Sequence, residues 1–350
     1  MKYQFEDKGI LITGGSGSIG EKITKEILKY SPKVVRIFDM DEMGLFNCRS
    51  KFKDYSNVRY LVGNIRDKER VRMAVEDIDI IYHAAALKHV FFCEYNPFEA
   101  LQTNLLGTQN VIKAALDEEV EKVIFTSSDK AVNSTNVMGA TKFLAEKLIV
   151  AANFYRGHRK TAFSCVRFGN VFDSRGSVLS IFLEQISKGG PITVTDPKMT
   201  RYIMTAQEAV DFLFNATELA QGGEIFVTKM KAIRILDLAR VMINEFSFKF
   251  GYNPEDIIIK TIGKNPGEKL YEELLTFDEC ERASETEQMF IILPEITEIT
   301  DILNINFERY PEGKPLKGGT YQSSHAQYLT EQEIKSILNQ IDLPIYQKAK

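Results

Sequence analysis

The stretch that decides the fold is GILITGGSGSIG, residues 9–20 of the 350-residue chain. Its first five residues form a short, mostly apolar run that predicts a buried strand, and a glycine-rich turn follows. From Glu21 to Tyr30 the apolar residues Ile23, Ile27 and Leu28 recur at helical spacing. A strand, a glycine-rich turn and a helix in this order are typical of the first unit of a dinucleotide-binding sheet.

Three glycines of this turn have separate physical roles. Gly14 permits the tight turn, Gly17 lets the backbone approach a pyrophosphate, and Gly20 lets the helix pack close to the strand. The phosphate would lie at the helix N-terminus, where unpaired N–H groups and the helix dipole favour an anion. The predicted cofactor contacts in the turn are Gly14, Ser16, Gly17, Ser18, Ile19 and Gly20.

A carboxylate that binds the ribose hydroxyls of NAD is expected about 20 residues after such a turn. The next apolar run, Val34 to Phe38, ends in Asp39 at this position. Asp39 would repel a 2′-phosphate, so we expect NAD rather than NADP, although Arg36 and Arg49 leave NADP open. The alternative is that Asp39 only caps the segment that follows it.

The same alternation continues through the first half of the chain. Further strands are predicted over Val58 to Val62, Asp79 to His83 and Lys122 to Thr126, with helices over Arg70 to Val75 and Phe98 to Leu116. Alternating strands and helices predict an α/β fold with a doubly wound parallel sheet of the Rossmann type.

The second half crosses between this sheet and a smaller unit more than once. We expect residues 1–169 to form an NAD-binding domain, to which residues 207–230 return. Residues 170–206 and 231–310 are expected to form a smaller C-terminal substrate-binding cap. Residues 311–350 begin with the stretch PEGKPLKGGTYQSS and are expected to form an arm and a short closing helix.

Composition and charge narrow the class of protein. Apolar residues make up 44% of the chain and charged residues 26%, which is ordinary for a globular enzyme, and the net charge of −4 argues against nucleic acid as the main partner. No apolar run is long enough for a membrane span, and no leader sequence is recognised. The cysteines have no metal-like spacing and predict reduced thiols in a cytoplasmic protein; they are Cys48, Cys93, Cys165 and Cys280.

The fourth predicted strand opens into the small residues Ala84, Ala85 and Ala86, which let the backbone lie against a dinucleotide. His83 and His89 flank the segment AAALK, but no third ligand type accompanies them. We therefore expect no metal site here, and we expect His83 to be a packed or hydrogen-bonded histidine.

The stretch FTSSDKAVNSTNVMGATK, residues 125–142, carries the candidate chemistry. Ser128, Asp129 and Lys130 directly follow a buried strand, and Lys142 lies in the predicted first turn of a helix. A hydroxyl, a carboxylate and an amine at the carboxyl end of a strand are groups that α/β enzymes use for proton transfer. The alternatives are a polar loop with capping residues and a local salt bridge between Asp129 and Lys130.

With these segments the chain resembles the extended short-chain dehydrogenases/reductases and, more narrowly, the UDP-N-acetylglucosamine 4,6-dehydratases of bacterial glycan pathways. The resemblance lies between Lys8 and about Leu275, in TGGSGSIG, YHAAALKHV, NLLGTQNV, SSDKAVNSTNVMGATK, VRFGNVFDSRGSV, GGPITVTDPKMTRYIM and NPGEKLYEELL. It implies bound NAD, UDP-N-acetylglucosamine as substrate, and the short form of the family without membrane-spanning helices. It also implies a homo-oligomer that pairs through the helices Phe98–Leu116 and Thr141–Phe154.

The family reaction removes water across C5 and C6 of the sugar without net redox change, since hydride leaves C4 for NAD and returns to C6. By resemblance, Asp129 is the acid at C6 and Lys130 is the base at C5. These roles need a protonated carboxyl and a neutral amine, two states that burial favours. Ser128 would hydrogen-bond the C4 oxygen, and Lys142 would hold the nicotinamide ribose.

The resemblance extends to residues that would hold the two ligands. Asn170 would bond a diphosphate oxygen, Arg201 would bind the diphosphate or the uridine, and Glu268 would accept from ribose hydroxyls. The plain alternatives are a surface ion pair for Arg201 and a helix N-terminal acid for Glu268. Further expected cofactor contacts are Asn64, Ile65, Ala84, Ala85, Ala86, Lys88, Asn104 and Lys142, and further expected substrate contacts are Lys88, Met138, Val178 and Thr195.

One departure from the family pattern concerns the base at the C4 hydroxyl. Most members have Tyr four residues before the helix lysine, but this chain has Met138, which carries no exchangeable proton. A subset of the dehydratases shares this Met, so activity is still expected, with Lys130, Asp129 or an ordered water as the candidate bases. The Met form favours retention at C5 and leaves inversion open. The rival interpretations are a C4-epimerase and a catalytically silent NAD-binding scaffold.

Overall fold

The computed structural model of the chain describes residues 5–174, 176–296, 298, 301, 303–316, 319 and 321–341. The strands are β1 (Gly9–Thr13), β2 (Val34–Asp39), β3 (Val58–Val62), β4 (Ile80–His83), β5 (Lys122–Ser128), β6 (Ala162–Phe168), β7 (Asn170–Val171), β8 (Ile192–Val194), β9 (Thr200–Met204), β10 (Ile225–Thr228), β11 (Ala232–Arg234), β12 (Ile259–Thr261), β13 (Ala283–Glu285), β14 (Met289–Ile292) and β15 (Lys314–Pro315). The helices are α1 (Ser18–Ile27), α2 (Glu42–Lys51), α3 (Lys68–Val75), α4 (Val90–Tyr95), α5 (Pro97–Ala100), α6 (Gly107–Asp117), α7 (Val137–Tyr155), α8 (Val178–Ser187), α9 (Ala206–Leu219), α10 (Ile235–Phe246), α11 (Phe277–Glu281) and α12 (Glu331–Gln340). Within this described part of the chain, no helix combines the length and the apolar character that crossing a membrane requires.

Ten strands form one sheet in the order β15-β13-β14-β10-β6-β5-β4-β1-β2-β3. The strands from β3 to β10 in this order run parallel, while β14, β13 and β15 run antiparallel to their neighbours. The chain order reverses between β1 and β4, and such a switch point opens a crevice at the carboxyl ends of the strands. The predicted doubly wound α/β sheet of the Rossmann type is confirmed.

The central strands bury both of their faces, as a sheet covered by helices on both sides requires. Leu11, Ile81 and Val123 pack in one apolar cluster, which includes residues of α3, α6 and α7. Their chain neighbours Ile10 and Ile80 point the other way, into a cluster with residues of α1 and α9. Because both faces are apolar, these strands appear in the sequence as continuous apolar runs.

A smaller lobe has its own apolar core. It contains the three-stranded sheet β11-β9-β7 and the pair β12-β8. Phe182 of α8, Met242 of α10 and Ile334 of α12 are buried together in this lobe. Its predicted role as a substrate-binding cap stays a prediction.

The division of the chain differs from the predicted one on its C-terminal side. Strands β13 and β14 fall within 231–310, the range predicted for the cap, yet they pair with the large sheet, and β15 of the predicted arm joins them. These strands are 3, 4 and 2 residues long, too short for periodicity to identify them. Residues 342–350 of the predicted arm lie outside the described residues.

The helix predicted over Phe98 to Leu116 contains a π-helical turn, Leu101–Leu106, between α5 and α6. Asn104 in this turn is buried, and its side chain accepts from the Leu87 N–H at 2.7 Å and donates to the Leu87 carbonyl at 3.0 Å. π-Helical turns are frequent at functional sites. Through these two hydrogen bonds the turn holds the segment after β4 in place, and that segment borders the crevice.

Candidate functional site

A cleft of about 400 Å³ lies where the strand order reverses. Its walls come from the glycine turn after β1 and from the residues that follow β2, β3 and β4. The predicted cofactor contacts that line it are Gly14, Gly17, Ser18, Ile19, Gly20, Asp39, Asn64, Ile65, Ala84, Ala85, Ala86 and Lys88. Lining residues that the sequence did not identify are Phe38, Met40, Gly63, Leu87, His89, Thr103 and Ser174.

Three predicted cofactor contacts lie behind the walls of the cleft. Ser16 is buried and donates its N–H and its hydroxyl to Asp39 Oδ2, at 3.0 and 2.8 Å. Asn104 holds the backbone of Leu87. Lys142 is 6% exposed and donates from Nζ to the Thr126 carbonyl at 2.9 Å. They are not among the residues that line the cleft, and their contact with a cofactor stays a prediction.

The glycine turn packs so closely against neighbouring backbone that it has no room for side chains, as in the turns that bind dinucleotides. Gly14 has a φ of 66°, and a Cβ there would lie 2.8 Å from the backbone of Ala85. A Cβ at Gly20 would lie 2.5 Å from the Cα of Gly15. Gly17 precedes α1 and makes no side-chain hydrogen bond to the helix N-terminus, where backbone N–H groups and the helix dipole favour an anion.

Asp39 faces the cleft and is not the cap of the following helix. The side chain of Asp41 caps α2 by accepting from the Gly44 N–H, while Asp39 Oδ1 accepts from the Asp41 N–H at 3.1 Å and so also holds the segment that follows it. Arg36 donates to the carbonyls of Ala74 and Glu76, and these bonds hold its guanidinium away from the cleft. The preference for NAD over NADP stays a prediction.

The segment after β5 positions the candidate catalytic groups. Strand β5 ends at Ser128, and Asp129 begins a 3₁₀ turn over Asp129–Ala131. Helix α7 begins after Asn136, whose side chain accepts from the Gly139 N–H at 2.8 Å. Gly139 packs so closely against this turn that a Cβ there would lie 2.1 Å from the Lys130 carbonyl oxygen.

Ser128, Asp129 and Lys130 share one set of hydrogen bonds. Asp129 Oδ1 accepts from Ser128 Oγ at 2.7 Å and from Lys130 Nζ at 3.0 Å. Lys130 Nζ also donates to Asn170 Oδ1 at 3.2 Å and lies 3.7 Å from Glu272 Oε1. Asp129 is 0% exposed, and its Oδ2 has no hydrogen-bond partner among the described residues. A carboxyl, an amine and a hydroxyl thus lie together, as proton transfer requires.

The charge of Lys130 differs from the expectation that burial makes the amine neutral. Burial lowers the pKa of Lys130, but the carboxylates of Asp129 and Glu272 outweigh burial, and the pKa is raised above its ordinary value of 10.5. Lys130 is therefore an ammonium at neutral pH. The expectation was wrong because it considered desolvation without the second carboxylate.

The pKa of Lys142 is shifted in the opposite direction. Burial lowers the pKa of its ammonium from 10.5 to about 8. Its Nζ lies 4.5 Å from the centre of the Phe125 ring. Lys142 therefore titrates close to neutral pH.

Two other residues near the cleft, Met138 and His83, are buried. Met138, predicted to contact substrate, is 3% exposed and packs with Cys93 and Ala100, so little of it is accessible. The ring nitrogens of His83 lie 2.7 Å from Thr13 Oγ1 and 3.0 Å from Thr108 Oγ1. Burial and nearby Lys142 lower the pKa of His83 to about 3, so it is a neutral, hydrogen-bonded histidine.

Arg201 is a buried ion-pair residue. It donates to the carbonyls of Thr200 and Lys269, at 2.8 and 2.9 Å. It also lies 3.7 Å from Glu268 and 3.6 Å from Glu272, so the alternative of a surface ion pair is wrong.

Glu268 accepts from the Asn265 N–H in a turn where no helix begins, so the alternative of a helix N-terminal acid is wrong as well. Among the other predicted substrate contacts, Asn170 accepts a hydrogen bond from Lys130, and Thr195 donates to Met199 Sδ at 3.2 Å. Val178 begins α8 and is half-buried.

The sequence analysis did not identify Glu272, whose carboxylate lies close to both Lys130 and Arg201. The only signal in the sequence is a pair of acids, Glu272 and Glu273, inside the otherwise apolar segment LYEELL. The structure separates the two. Glu273 faces Asn133 and Gln322, from which it accepts at 2.8 and 2.9 Å.

The chain is similar to several known proteins. An uncharacterised membrane protein of Methanocaldococcus jannaschii is 51% identical over 96% of this chain and 97% of its own length. The UDP-N-acetylglucosamine 4,6-dehydratase (inverting) of Campylobacter jejuni is 38% identical over 96% of this chain and 98% of its own. The UDP-glucose 4-epimerase of Rickettsia bellii is 36% identical over 97% of each. The X-ray structure of Pen from Bacillus thuringiensis, 45% identical, superposes with a TM-score of 0.89 over 97% of this chain and 99% of that one.

A family model also matches most of the chain. The model describes polysaccharide biosynthesis proteins and covers residues 10–294, which include the cleft, the Ser128–Lys130 segment and Glu272. Together with relatives at 36–51% identity over nearly the whole length, this match shows the family. The chain belongs to the polysaccharide biosynthesis protein family.

Proposed function

We propose that the protein dehydrates UDP-N-acetylglucosamine to a UDP-4-keto-6-deoxy-N-acetylhexosamine with the help of bound NAD. The observation that carries this proposal is the hydrogen bond of 3.0 Å from Lys130 Nζ to Asp129 Oδ1. Elimination across C5 and C6 needs a base and an acid at neighbouring carbons, and this pair supplies both in one small volume. The Campylobacter relative that is named for this reaction supports the same substrate class.

The cleft suits NAD. When bound there, NAD would supply reversible hydride transfer, from C4 of the sugar and back to C6. The glycine turn would hold the pyrophosphate, and Asp39 would accept from the ribose hydroxyls. Because Asp39 would repel a 2′-phosphate and Arg36 is bonded elsewhere, we favour NAD over NADP. Titration with both dinucleotides, followed by fluorescence, tests this preference.

Asp129 can replace the missing tyrosine as the acceptor of the C4 hydroxyl proton. Ser128 Oγ donates to Asp129 Oδ1 at 2.7 Å, so a proton that the C4 hydroxyl gives to Ser128 can pass on to Asp129. Asp129 then holds the proton that the C6 oxygen needs when it leaves as water. One carboxyl would thus act as base at C4, through Ser128, and as acid at C6. Lys142 would hold the nicotinamide ribose and place positive charge near the C4 oxygen.

The smaller lobe would hold the nucleotide part of the substrate. Arg201 is its buried cation and would bind the diphosphate or the uridine. A diphosphate would compete with Glu268, 3.7 Å away, for this guanidinium. Asn170 and Glu268 would bond the diphosphate and the ribose. Lys88, Val178 and Thr195 would complete the contacts.

Incubation of the protein with UDP-N-acetylglucosamine and no added reductant tests the function. We expect a product that is lighter by one water in mass spectrometry. A wild-type protein that binds NAD and leaves this substrate unchanged would overturn the proposal and support a silent scaffold instead. Proton NMR of the product gives the C5 configuration. The named Campylobacter relative favours inversion, in contrast to the retention that Met138 favoured.

A second candidate function is C4-epimerisation, which the Rickettsia relative named UDP-glucose 4-epimerase favours. Epimerisation needs no acid–base pair at C5 and C6. Products without loss of water, differing from the substrate at C4 alone, would select it.

We also propose a homo-oligomer that pairs through α5, the π-helical turn, α6 and α7. Phe98 is 78% exposed, and Leu101 and Leu106 are also exposed on this side. Phe143 and Leu144 of α7 add further exposed apolar surface. Exposed apolar patches of this kind mark interaction surfaces. Sedimentation of the protein, compared with a Phe98→Glu variant, tests the pairing.

A further inference from the structure

Glu272 is a buried carboxylate without a role in the steps above. Its side chain is 3% exposed, and its Oε1 lies 3.7 Å from Lys130 Nζ and 3.6 Å from Arg201 Nε. Its Oε2 is buried and has no hydrogen-bond partner among the described residues. A buried carboxylate with few donors favours the protonated form. Glu272 is therefore suited to accept a proton.

Lys130 needs such an acceptor. It is an ammonium at rest, and a base at C5 must be a neutral amine. Asp129 is its nearest carboxylate, but Asp129 already accepts the C4 proton that arrives through Ser128. The next carboxylate that faces Lys130 is Glu272.

We propose that Glu272 takes the proton that Lys130 must lose before it acts as the base. This inference rests on the proposed dehydratase function. The distance of 3.7 Å exceeds a hydrogen bond, and a rotamer change of the lysine closes it. The inference adds Glu272 to the acid–base groups of the reaction.

The proton transfers then balance. An N–H bond of Lys130 breaks and an O–H bond forms on Glu272, while Asp129 gains the C4 proton. Next the C5–H bond breaks, its proton goes to Lys130, and the Asp129 proton leaves with the C6 oxygen as water. Finally Lys130 returns a proton to C5, and Glu272 returns its proton to Lys130. All three groups end in the states in which they began.

The charges around the pair permit this exchange. Lys130 is faced by Asp129, Glu272 and Arg201, and Glu272 is faced by Lys130, Asp129, Arg201 and Lys269. Burial and the charge of Asp129 raise the pKa of Glu272, against the three cations. A proton that moves from Lys130 to Glu272 leaves the net charge of the site unchanged, so no uncompensated charge is created in a buried site.

A Glu272→Gln variant tests the inference, with Glu273→Gln as the matched control. Glu273 is the adjacent buried acid, and it faces Asn133 and Gln322 instead of Lys130. For Glu272→Gln we expect kcat at pH 7 to fall by about 100-fold or more. Below pH 8, where Lys142 keeps its charge, the kcat of this variant should rise about tenfold per pH unit, because Lys130 must lose its proton to solvent. Wild type and Glu273→Gln should show no such slope below pH 8.

A normal kcat or a flat pH profile for Glu272→Gln would overturn the inference. If that variant does not fold, Glu272→Asp decides, since it keeps a carboxylate: a flat profile at reduced kcat supports the inference, and a steep one contradicts it. A wild type that releases no water from the substrate is a different result, because it removes the proposed function itself.

An infrared measurement gives a readout apart from turnover. In Asp129→Asn protein labelled with ¹³C-glutamate, with NAD and UDP-N-acetylglucosamine bound, we expect the carbonyl band of a protonated glutamate. The band should disappear in the double variant with Glu272→Gln and persist in the double variant with Glu273→Gln. A missing band in the single variant, or one that survives Glu272→Gln, would contradict the inference.

Discussion

Arg167 and Glu146 form a two-point ion pair inside the molecule, with Nε 3.1 Å from Oε1 and Nη2 2.7 Å from Oε2. Arg167 lies near the end of β6, and Glu146 lies one turn after Lys142 in α7. The same guanidinium donates to both carboxylate oxygens of Glu279, each at 2.9 Å, and to the Leu274 carbonyl. One buried arginine thus joins the helix that carries Lys142 to the segment that follows Glu272.

Replacement of Arg167 by Met would leave two buried carboxylates without their cation. We expect the free energy of unfolding to fall by about 3–5 kcal/mol, because an uncompensated buried charge costs more than the ion pair contributes. Urea denaturation measures the change. Arg240→Met, at an exposed position of α10, is the control and should stay within about 0.5 kcal/mol of wild type. Equal stabilities for the two variants would show that α7 does not depend on this pair.

Asp129→Asn tests the proposed acid at C6. Asn has nearly the same shape, but it cannot protonate the departing C6 hydroxyl, so we expect loss of water to slow by about 10²–10⁴-fold. Mass spectrometry of the products measures it. Asp237→Asn, on the outer side of α10, should retain wild-type rates. Dehydration at a wild-type rate by Asp129→Asn would assign the acid at C6 to another group.

The sequence predicts the central sheet and the cleft because their signals are local. Strand β1 is buried throughout, so it is one apolar run, and the glycine turn next to it requires residues without a Cβ. Asp39 follows at the spacing that one strand–helix–strand unit imposes. Strands β13 and β14 carry no comparable signal. Strand β14 joins the sheet by pairing with β10, and β13 joins it by pairing with β14, and periodicity encodes neither pairing.

The charge of the Lys130 amine depends on contacts that the sequence does not reveal. Asp129 is its neighbour in the chain, but Glu272 reaches it only when a distant segment folds against the same site. Burial alone predicts a neutral amine, and a second carboxylate reverses the direction. The position of Met138 was visible in the sequence, but its apolar contacts with Cys93 and Ala100 were not.

The pKa of Lys142 predicts a pH dependence of activity. As the pH rises through about 8, Lys142 loses the charge that would stabilise the C4 oxygen, so we expect kcat to fall above pH 8. A pH–rate profile measures this. Lys147→Met, at an exposed position of the same helix, should keep the decline. A kcat that stays constant to pH 10 would exclude Lys142 as the source of that charge.

The same group predicts a pH dependence of stability. Between pH 8 and 10.5 the folded protein has lost the Lys142 proton while the unfolded chain retains it, so the unfolded state binds more protons and stability rises with pH. Below pH 8 both states are protonated, and the burial cost of the charge is fully present. Urea denaturation should show wild type gaining stability relative to Lys142→Met across this window. A constant difference between the two proteins would mean that the pKa is not lowered.

Gly139 fixes the position of Lys130 through a contact that has no room for a side chain. A Cβ at Gly139 would lie 2.1 Å from the Lys130 carbonyl oxygen and 2.5 Å from Ser134 Oγ. Gly139→Ala must therefore displace the turn that carries Asp129 and Lys130, and a shift of about 1 Å costs on the order of 100-fold in rate. We expect kcat to fall by that factor while NAD binding is kept, because the glycine turn after β1 is untouched. Ala140→Ser, at the exposed neighbouring position, should have wild-type kcat. Wild-type kcat for Gly139→Ala would mean that the turn can move without loss of the acid–base geometry, and the close packing would then have no role in the reaction.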